Sequence, residues 1–309
     1  MRILITGAKG MLAQAIRERF KTDPDGKPNE LILTDREADA ELGSYALDIT
    51  DLAAVKALVN ETKPDLIINC AAYTNVDGAE QAGELAEKVN ALGPENLAKA
   101  ATDTGAILVH ISTDYVFGGA KPIDEVYLED DEKNPQSVYG KTKSEGEDAI
   151  KLQMSNSGRY YIFRTAWLYG KGGRNFVQTM IDLGRNKDEI SVVGDQWGSP
   201  TSTGSLADMI YRVIENGRAP YGIYHATNDG FTNWADFAKE IFKLAGIKCK
   251  VNGISSEEYK KTVDGKAAPR PKNSMLNKDK ILRYIIEIPT WQEALEQYLK
   301  ETGNLKAKE

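Results

Sequence analysis

The sequence reads as an α/β protein built on a doubly wound parallel sheet of the Rossmann type, with a smaller C-terminal lobe. Three observations lead there. Short apolar runs alternate with longer amphipathic ones through the first half of the chain. The short runs are almost continuously apolar, as strands buried on both faces are. A glycine-spaced turn, ITGAKGMLA, joins the first of them to the first helical pattern.

Taken in order, RILIT (2–6) reads as the first strand, followed by a helix to about residue 21. LILTD (31–35) is the second strand. The helix after it, at about 51–62, is entered through Asp51, whose side chain suits an N-cap. DLIINCA (65–71) precedes a long helical stretch at about 80–104, and AILVHIS (106–112) follows as the next strand. This spacing implies right-handed βαβ units. After YYIFRTAWLYG (160–170) the rhythm loosens. ISVVG (190–194) and GIYHAT (222–227) read as short strands among helices and Pro/Gly-rich loops, and APRPKNS (268–274) as an ordered loop. Residues 1–168 are therefore expected to form a dinucleotide-binding domain. Residues 169–309 would form mainly the second lobe, with some segments returning to the first.

With 309 residues the chain can bury a large core, and a net charge of -7 argues against a nucleic-acid or anionic membrane surface. Two cysteines, Cys70 and Cys249, make no disulfide framework. Together with only two histidines, His110 and His225, they offer no zinc site. Both histidines lie in apolar runs and read as strand positions. No apolar run has the length of a transmembrane helix, and the chain opens on a strand rather than a signal peptide, so the cytoplasm is the expected compartment.

Gly7, Gly10 and Ala13 recur at three-residue spacing with a strand before and a helix after, the context that a dinucleotide fingerprint needs. Gly7 permits the tight turn. Gly10 lets backbone N–H groups approach a pyrophosphate at the helix N-terminus, and Ala13 allows close packing of helix on strand. Asp35 ends the second strand where an acid would accept from an adenosine ribose, which favours NAD. Arg36 follows it and would instead suit the 2′-phosphate of NADP. Both NADH and NADPH therefore stand as candidate cofactors.

HISTDYVFGG (110–119) leaves the carboxyl end of a core strand, where open α/β sheets build their sites, and offers the hydroxyls of Ser112 and Thr113. VYGKTK (138–143) then sets a tyrosine near two lysines. Helical residues i and i+4 share a face while i and i+2 point apart, so Tyr139 can meet Lys143 and Lys141 faces elsewhere. A phenol ordinarily titrates near ~10, and a neighbouring ammonium lowers that value toward useful proton exchange.

TGAKGMLA, NCAAYTNVD, STDYVF, YGKTKSEGE, RTAWLYG and NFVQTM, with DQWGSPTST, GIYHATN and RPKNSML after them, resemble the extended short-chain dehydrogenase/reductases. Within these the likeness is to the dTDP-4-dehydrorhamnose reductase family, and it runs over nearly the whole chain. The resemblance implies a catalytic set of Thr113, Tyr139 and Lys143, reducing the C4 ketone of a dTDP-4-keto-6-deoxy sugar with NADPH or NADH. Tyr139 would give a proton to the developing alkoxide, Thr113 would hydrogen-bond the same oxygen, and Lys143 would lower the Tyr139 pKa and hold the nicotinamide ribose. It also implies a pyrophosphate contact at Gly10, Met11 and Leu12. Asp35, Asp48 and Ile49 would fall near the adenosine, and Ala71, Ala72 and Tyr73 would pass beside the cofactor. Asp114 and Trp167 match sugar-nucleotide contacts. Asn175 and Arg270 are further candidates for the diphosphate, with a surface salt bridge an equal alternative for Arg270. No metal is expected, and a homodimer is allowed for.

Rival readings follow from the same residues. Sugar-nucleotide dehydratases of this fold carry Thr-Asp-Glu at the strand end. Here Tyr115 follows Thr113 and Asp114, and the missing Glu disfavours dehydration. Another nucleotide-sugar 4-ketoreductase or an epimerase needs the same redox parts. The non-catalytic regulatory subunit of methionine adenosyltransferase resembles this family and keeps a YGKTK motif, so the motif marks a site without proving catalysis.

Overall fold

The structure, a computed structural model, describes residues 1–263 and 267–307. Its first half runs β1 (Arg2–Thr6), α1 (Met11–Arg19), β2 (Glu30–Asp35), β3 (Tyr45–Ala46), α2 (Leu52–Thr62) and β4 (Leu66–Asn69). Then come α3 (Val76–Ala79), α4 (Gly83–Glu87), a π-helical turn (Lys88–Leu92), α5 (Gly93–Thr104), β5 (Ile107–Thr113), α6 (Val138–Gln153) and β6 (Tyr160–Thr165). The second half holds β7 (Leu168–Tyr169), α7 (Phe176–Asn186), β8 (Glu189–Val193), β9 (Trp197–Gly198), β10 (Thr201–Ser202), α8 (Thr203–Glu215) and β11 (Gly222–His225). It closes with β12 (Thr232–Asn233), α9 (Trp234–Ala245), β13 (Lys250–Ile254), α10 (Ser256–Thr262), α11 (Asp279–Leu282) and α12 (Trp291–Glu301).

Seven strands form one parallel sheet in the order β11-β6-β5-β4-β1-β2-β3. Strand alternation divides the core between its faces. Ile3 and Ile5 pack with Ile16, Phe20, Leu206 and Ile210 under α1 and α8. Leu4 and Ile67 pack with Val55, Leu97 and Ile150 under α2, α5 and α6. Each such side chain, fully buried, contributes roughly 1.5–3 kcal/mol. A third core joins α7, α9 and α12, through Val177, Ile181, Phe237 and Leu295. ISVVG belongs to this part of the molecule, where β8 pairs with β13 rather than with the main sheet. GIYHAT does the opposite: β11 closes the edge of the main sheet beside β6, and α8 lies on α1. Among the described residues, no helix is long and apolar enough to cross a membrane.

The helix expected at about 80–104 is broken. Pro94 stands in the first turn of α5, where its missing N–H is harmless, and the π-helical turn absorbs the change of register just before it. This places Asn90 fully inside the molecule.

Candidate active site

The sheet reverses its winding between β1 and β4, and open α/β sheets bind ligands at the carboxyl ends of such strands. Gly7 sits there at φ 65°, and a Cβ on it would come 2.8 Å from the Ala71 nitrogen, so only glycine fits. Gly10 begins α1 with no side-chain cap. The first turn of α1 thus presents backbone N–H groups and the positive end of a helix dipole, from Gly10 through Met11 to the buried Leu12. A dinucleotide pyrophosphate fits that cradle. The Asp35 carboxylate accepts from Lys9 N (3.0 Å) and Arg36 N (2.8 Å), which draws it back onto the turn, while the Arg36 side chain stays exposed. Asp48 is exposed and accepts from Thr50 N at 2.9 Å. Ile49 turns its side chain into the core, and its carbonyl accepts from Asn96.

Ala71, Ala72 and Tyr73 leave β4 half-buried along the same crevice. Asn90, brought inward by the π-helical turn, accepts from Tyr73 N at 2.8 Å and donates to Tyr73 O at 3.1 Å. Its amide also donates to the Thr142 hydroxyl at 3.2 Å, tying the crevice to α6. The sequence carried one usable signal for this residue, the Gly93-Pro94 break inside a helical pattern.

Helix α6 starts at Ser137, whose side chain accepts from Gly140 N. A Cβ at Gly140 would overlap the Tyr115 carbonyl oxygen, so this glycine is what lets α6 lie against the loop after β5. Lys143 is buried, whereas Lys141 is exposed and reaches Glu145 on its own helix. The i, i+4 spacing selected the inward lysine correctly.

At the end of β5, the Thr113 hydroxyl donates to Asp114 Oδ1 at 2.9 Å and accepts from Tyr115 N at 3.2 Å. Tyr115 packs edge-on against Tyr139 with ring centres 5.5 Å apart. Burial pushes the Tyr139 phenol up to about 12, the Asp114 charge adds to the rise, and a hydrogen bond with Thr113 opposes it. Thr113 and Tyr139 are thereby brought together. Burial also lifts Asp114 to about 6, against hydrogen bonds from Ser274 and Thr113. Lys143 was expected to depress the Tyr139 pKa, and here it does not. Its ammonium position is taken up by Ile111 O at 2.6 Å and His110 Nε2 at 3.1 Å. His110, read from the sequence as a plain strand residue, lies on a strand and also touches this lysine.

Ser112 donates to Glu147 Oε1 at 2.6 Å, and the same carboxylate takes two bonds from Arg164, at 2.8 and 2.7 Å. This ion pair is buried under the site and joins α6, β5 and β6. It serves as structure, and nothing local in the sequence pairs residues 147 and 164.

Thr165 stands opposite Thr113 in the sheet, and Trp167 follows two residues later at φ 50°, a left-handed backbone that bulky residues rarely adopt. Its indole stacks on Trp234 with centroids 3.7 Å apart, and a Cβ at Gly198 would press on the ring at 2.9 Å. Asn175 is 8% exposed at the start of α7. It caps α7 through Gln178 N, and its amide donates to Gly170 O and Gly173 O, so its hydrogen bonds are spent inside the protein. Arg270 forms the alternative salt bridge, donating to Asp77 Oδ2 at 2.9 Å while Ala268 N donates to the other oxygen at 2.8 Å.

The RmlD substrate binding domain model matches residues 1–304. The chain belongs to that family. Among members of the RmlD family and their solved structures, a dTDP-4-dehydrorhamnose reductase of Streptomyces griseus is 45% identical over 79% of this chain and 76% of that protein. A crystal structure of a dTDP-4-dehydrorhamnose reductase of Clostridium acetobutylicum superposes with a TM-score of 0.86 at 46% identity, covering 98% of this chain and 100% of that one. The dTDP-4-dehydrorhamnose reductase of Bacillus anthracis in complex with NADP also superposes at 0.86, with 41% identity over 97% of this chain and 99% of that one.

Proposed function

We propose that this chain is an NAD(P)H-dependent reductase that converts the C4 ketone of dTDP-4-dehydro-L-rhamnose to the alcohol of dTDP-L-rhamnose. The observation that carries the reading is the meeting of Tyr139 and Thr113 at the carboxyl end of β5, with Lys143 buried behind them and the uncapped glycine turn alongside. The names of the similar reductases, and the NADP bound by one of them, support it.

A nicotinamide bound along the crevice would supply hydride. Gly10, Met11 and Leu12 would hold its pyrophosphate by backbone N–H groups, and Arg36, exposed beside a carboxylate already engaged, favours a 2′-phosphate and therefore NADPH. Ala71, Ala72 and Tyr73 would line its path. Tyr139 is a phenol throughout the working pH range and holds the proton that the developing alkoxide needs. The Thr113 hydroxyl would turn from Asp114 to the same oxygen, adding a donor where negative charge develops. Asp114 and the Trp167–Trp234 stack would orient the sugar nucleotide. In this division of labour, residues 1–168 mainly hold the cofactor and 169–309 mainly the substrate.

The test follows NADPH absorbance with and without the dTDP-4-keto-6-deoxy sugar, and identifies the product by comparison with authentic dTDP-L-rhamnose. Oxidation dependent on the sugar, with that product, is expected. A different 6-deoxy sugar would move the assignment to another 4-ketoreductase. No oxidation would favour a non-catalytic binding role.

A further inference from the structure

We propose that Glu80, which ends the short α3, is a positioning residue for Tyr139: its carboxylate holds the first turn of α6 and so fixes where the phenol meets Thr113. The proposal rests on the reading above, in which Tyr139 gives the proton.

Tyr139 is the second residue of α6, so its place depends on how that helix begins. Ser137 caps the helix, its side chain accepting from Gly140 N at 3.1 Å. The N–H of Val138, the first helical residue, is not used by that cap, and such a group ordinarily turns to water. Here it donates to Glu80 Oε1 at 2.8 Å, from a carboxylate 58 positions back in the chain. The positive end of the helix dipole favours this contact. Because Ser137 already supplies the local cap, what Glu80 adds is a tertiary tie from the start of α6 to the segment after β4.

Glu80 is exposed, and an exposed carboxylate holds its partner loosely unless the backbone that carries it is fixed. Three contacts fix α3. Asn75 caps it through Gly78 N at 2.9 Å. A Cβ at Gly78 would come 2.8 Å from the Tyr73 hydroxyl, so the helix is pressed against that side chain. Asp77 accepts from Ala268 N and Arg270 of the C-terminal lobe, at 2.8 and 2.9 Å. Ala79, just before Glu80, is fully buried. The first turn of α6 is also held at Gly140, which lies directly against the Tyr115 carbonyl. Tyr139 therefore stands between two fixed neighbours, Val138 and Gly140. A turn released at Val138 would pivot on the Gly140 contact and carry the phenol away from Thr113. Misplacing a reacting group by about 1 Å costs on the order of a hundredfold in rate.

The test uses the full chain with its tyrosines carbon-13-labelled at Cζ, whose shift reports the hydrogen bond of the phenol. Of 14 tyrosines, Tyr139 is the line that Tyr139→Phe removes. Glu80→Ala should move that line, and Glu80→Gln, which keeps an oxygen for the Val138 N–H, should leave it near its place in the parent. An unmoved line in Glu80→Ala overturns the proposal. In turnover, Glu80→Ala should lower kcat about tenfold with NADPH affinity unchanged, and Glu80→Gln should recover most of the rate. Val138→Pro removes the donor instead; proline suits the first position of a helix, and Ser137 before it is already extended. It should reproduce the Glu80→Ala loss, and adding Glu80→Ala to it should cost nothing further. If Glu80→Ala costs as much in a Tyr139→Phe background as in the parent, its effect is on the fold at large and the proposal is overturned. A moved line in a chain inert toward the keto sugar would support the hold on Tyr139 and strike only the proposed reaction.

Discussion

Replacing Glu147 by alanine removes the carboxylate that binds Arg164 twice and Ser112 once, at 2.8, 2.7 and 2.6 Å. Both charged side chains are essentially inaccessible, at 0% and 1%. The guanidinium keeps the Glu129 carbonyl, at 3.0 Å, and otherwise becomes a buried charge without a counterion. Breaking such a pair costs about 3–5 kcal/mol. Unfolding entropy of about 2.1 cal/mol/K per residue amounts, over 309 residues, to roughly 0.65 kcal/mol/K. The melting temperature should therefore fall by about 5–8 °C. Burial raises the Glu147 pKa, but the hydrogen bond and charge of Arg164, with Lys133 and Ser112, hold it below the usual range. The stability it supplies is present above the unfolded carboxylate pKa and is lost as pH falls through the depressed folded value. Differential scanning fluorimetry at neutral pH reads the loss, and Glu147→Gln, which keeps the shape and one acceptor, should fall between. A Glu147→Ala protein melting within about 1 °C of the parent, less than ~1 kcal/mol on this scale, would refute the reasoning.

Tyr139→Phe should bind cofactor normally and reduce the keto sugar at least ~100-fold more slowly, the scale of one acid–base group; unchanged turnover removes Tyr139 from the mechanism. Lys141→Ala should alter stability by no more than about 0.5 kcal/mol and leave turnover intact, while Lys143→Ala should impair both turnover and cofactor affinity. A larger defect at Lys141 would contradict the helical assignment. Gly140→Ala forces a methyl onto the Tyr115 carbonyl and should lower stability by about 1–3 kcal/mol, seen as a lower urea midpoint. His110 and His225 are both held neutral by burial, so the unfolded chain binds protons that the folded chain refuses below the ordinary histidine value of 6.5. Asp114, lifted to about 6 by burial, offsets part of this by binding a proton in the folded state. Lowering the pH from about 7.5 to about 5.5 should therefore cost roughly 2 kcal/mol in urea titrations, and no loss would mean that a histidine is charged in the fold.

Much of this was legible in local pattern. Alternating apolar runs announce the strands, Gly7 and Gly10 announce the tight turn between β1 and α1, and helical spacing separates Lys143 from Lys141. These features depend on neighbours a few residues apart, where backbone geometry and side-chain direction leave few options. Tertiary structure decided the rest. Asn90 turns inward where a π-helical turn precedes Pro94, Asn175 caps α7 through Gln178 N while its amide donates to carbonyls of the turn before it, and Arg270 is claimed by Asp77 nearly two hundred positions away. The partner of Lys143 was equally hidden. His110 and Asn69 belong to neighbouring strands, and parallel pairing sets them side by side through a register that no local window contains. Hydrogen bonds inside a core reward whichever groups the sheet happens to align, so the partners of that lysine became visible only once the strands were stacked.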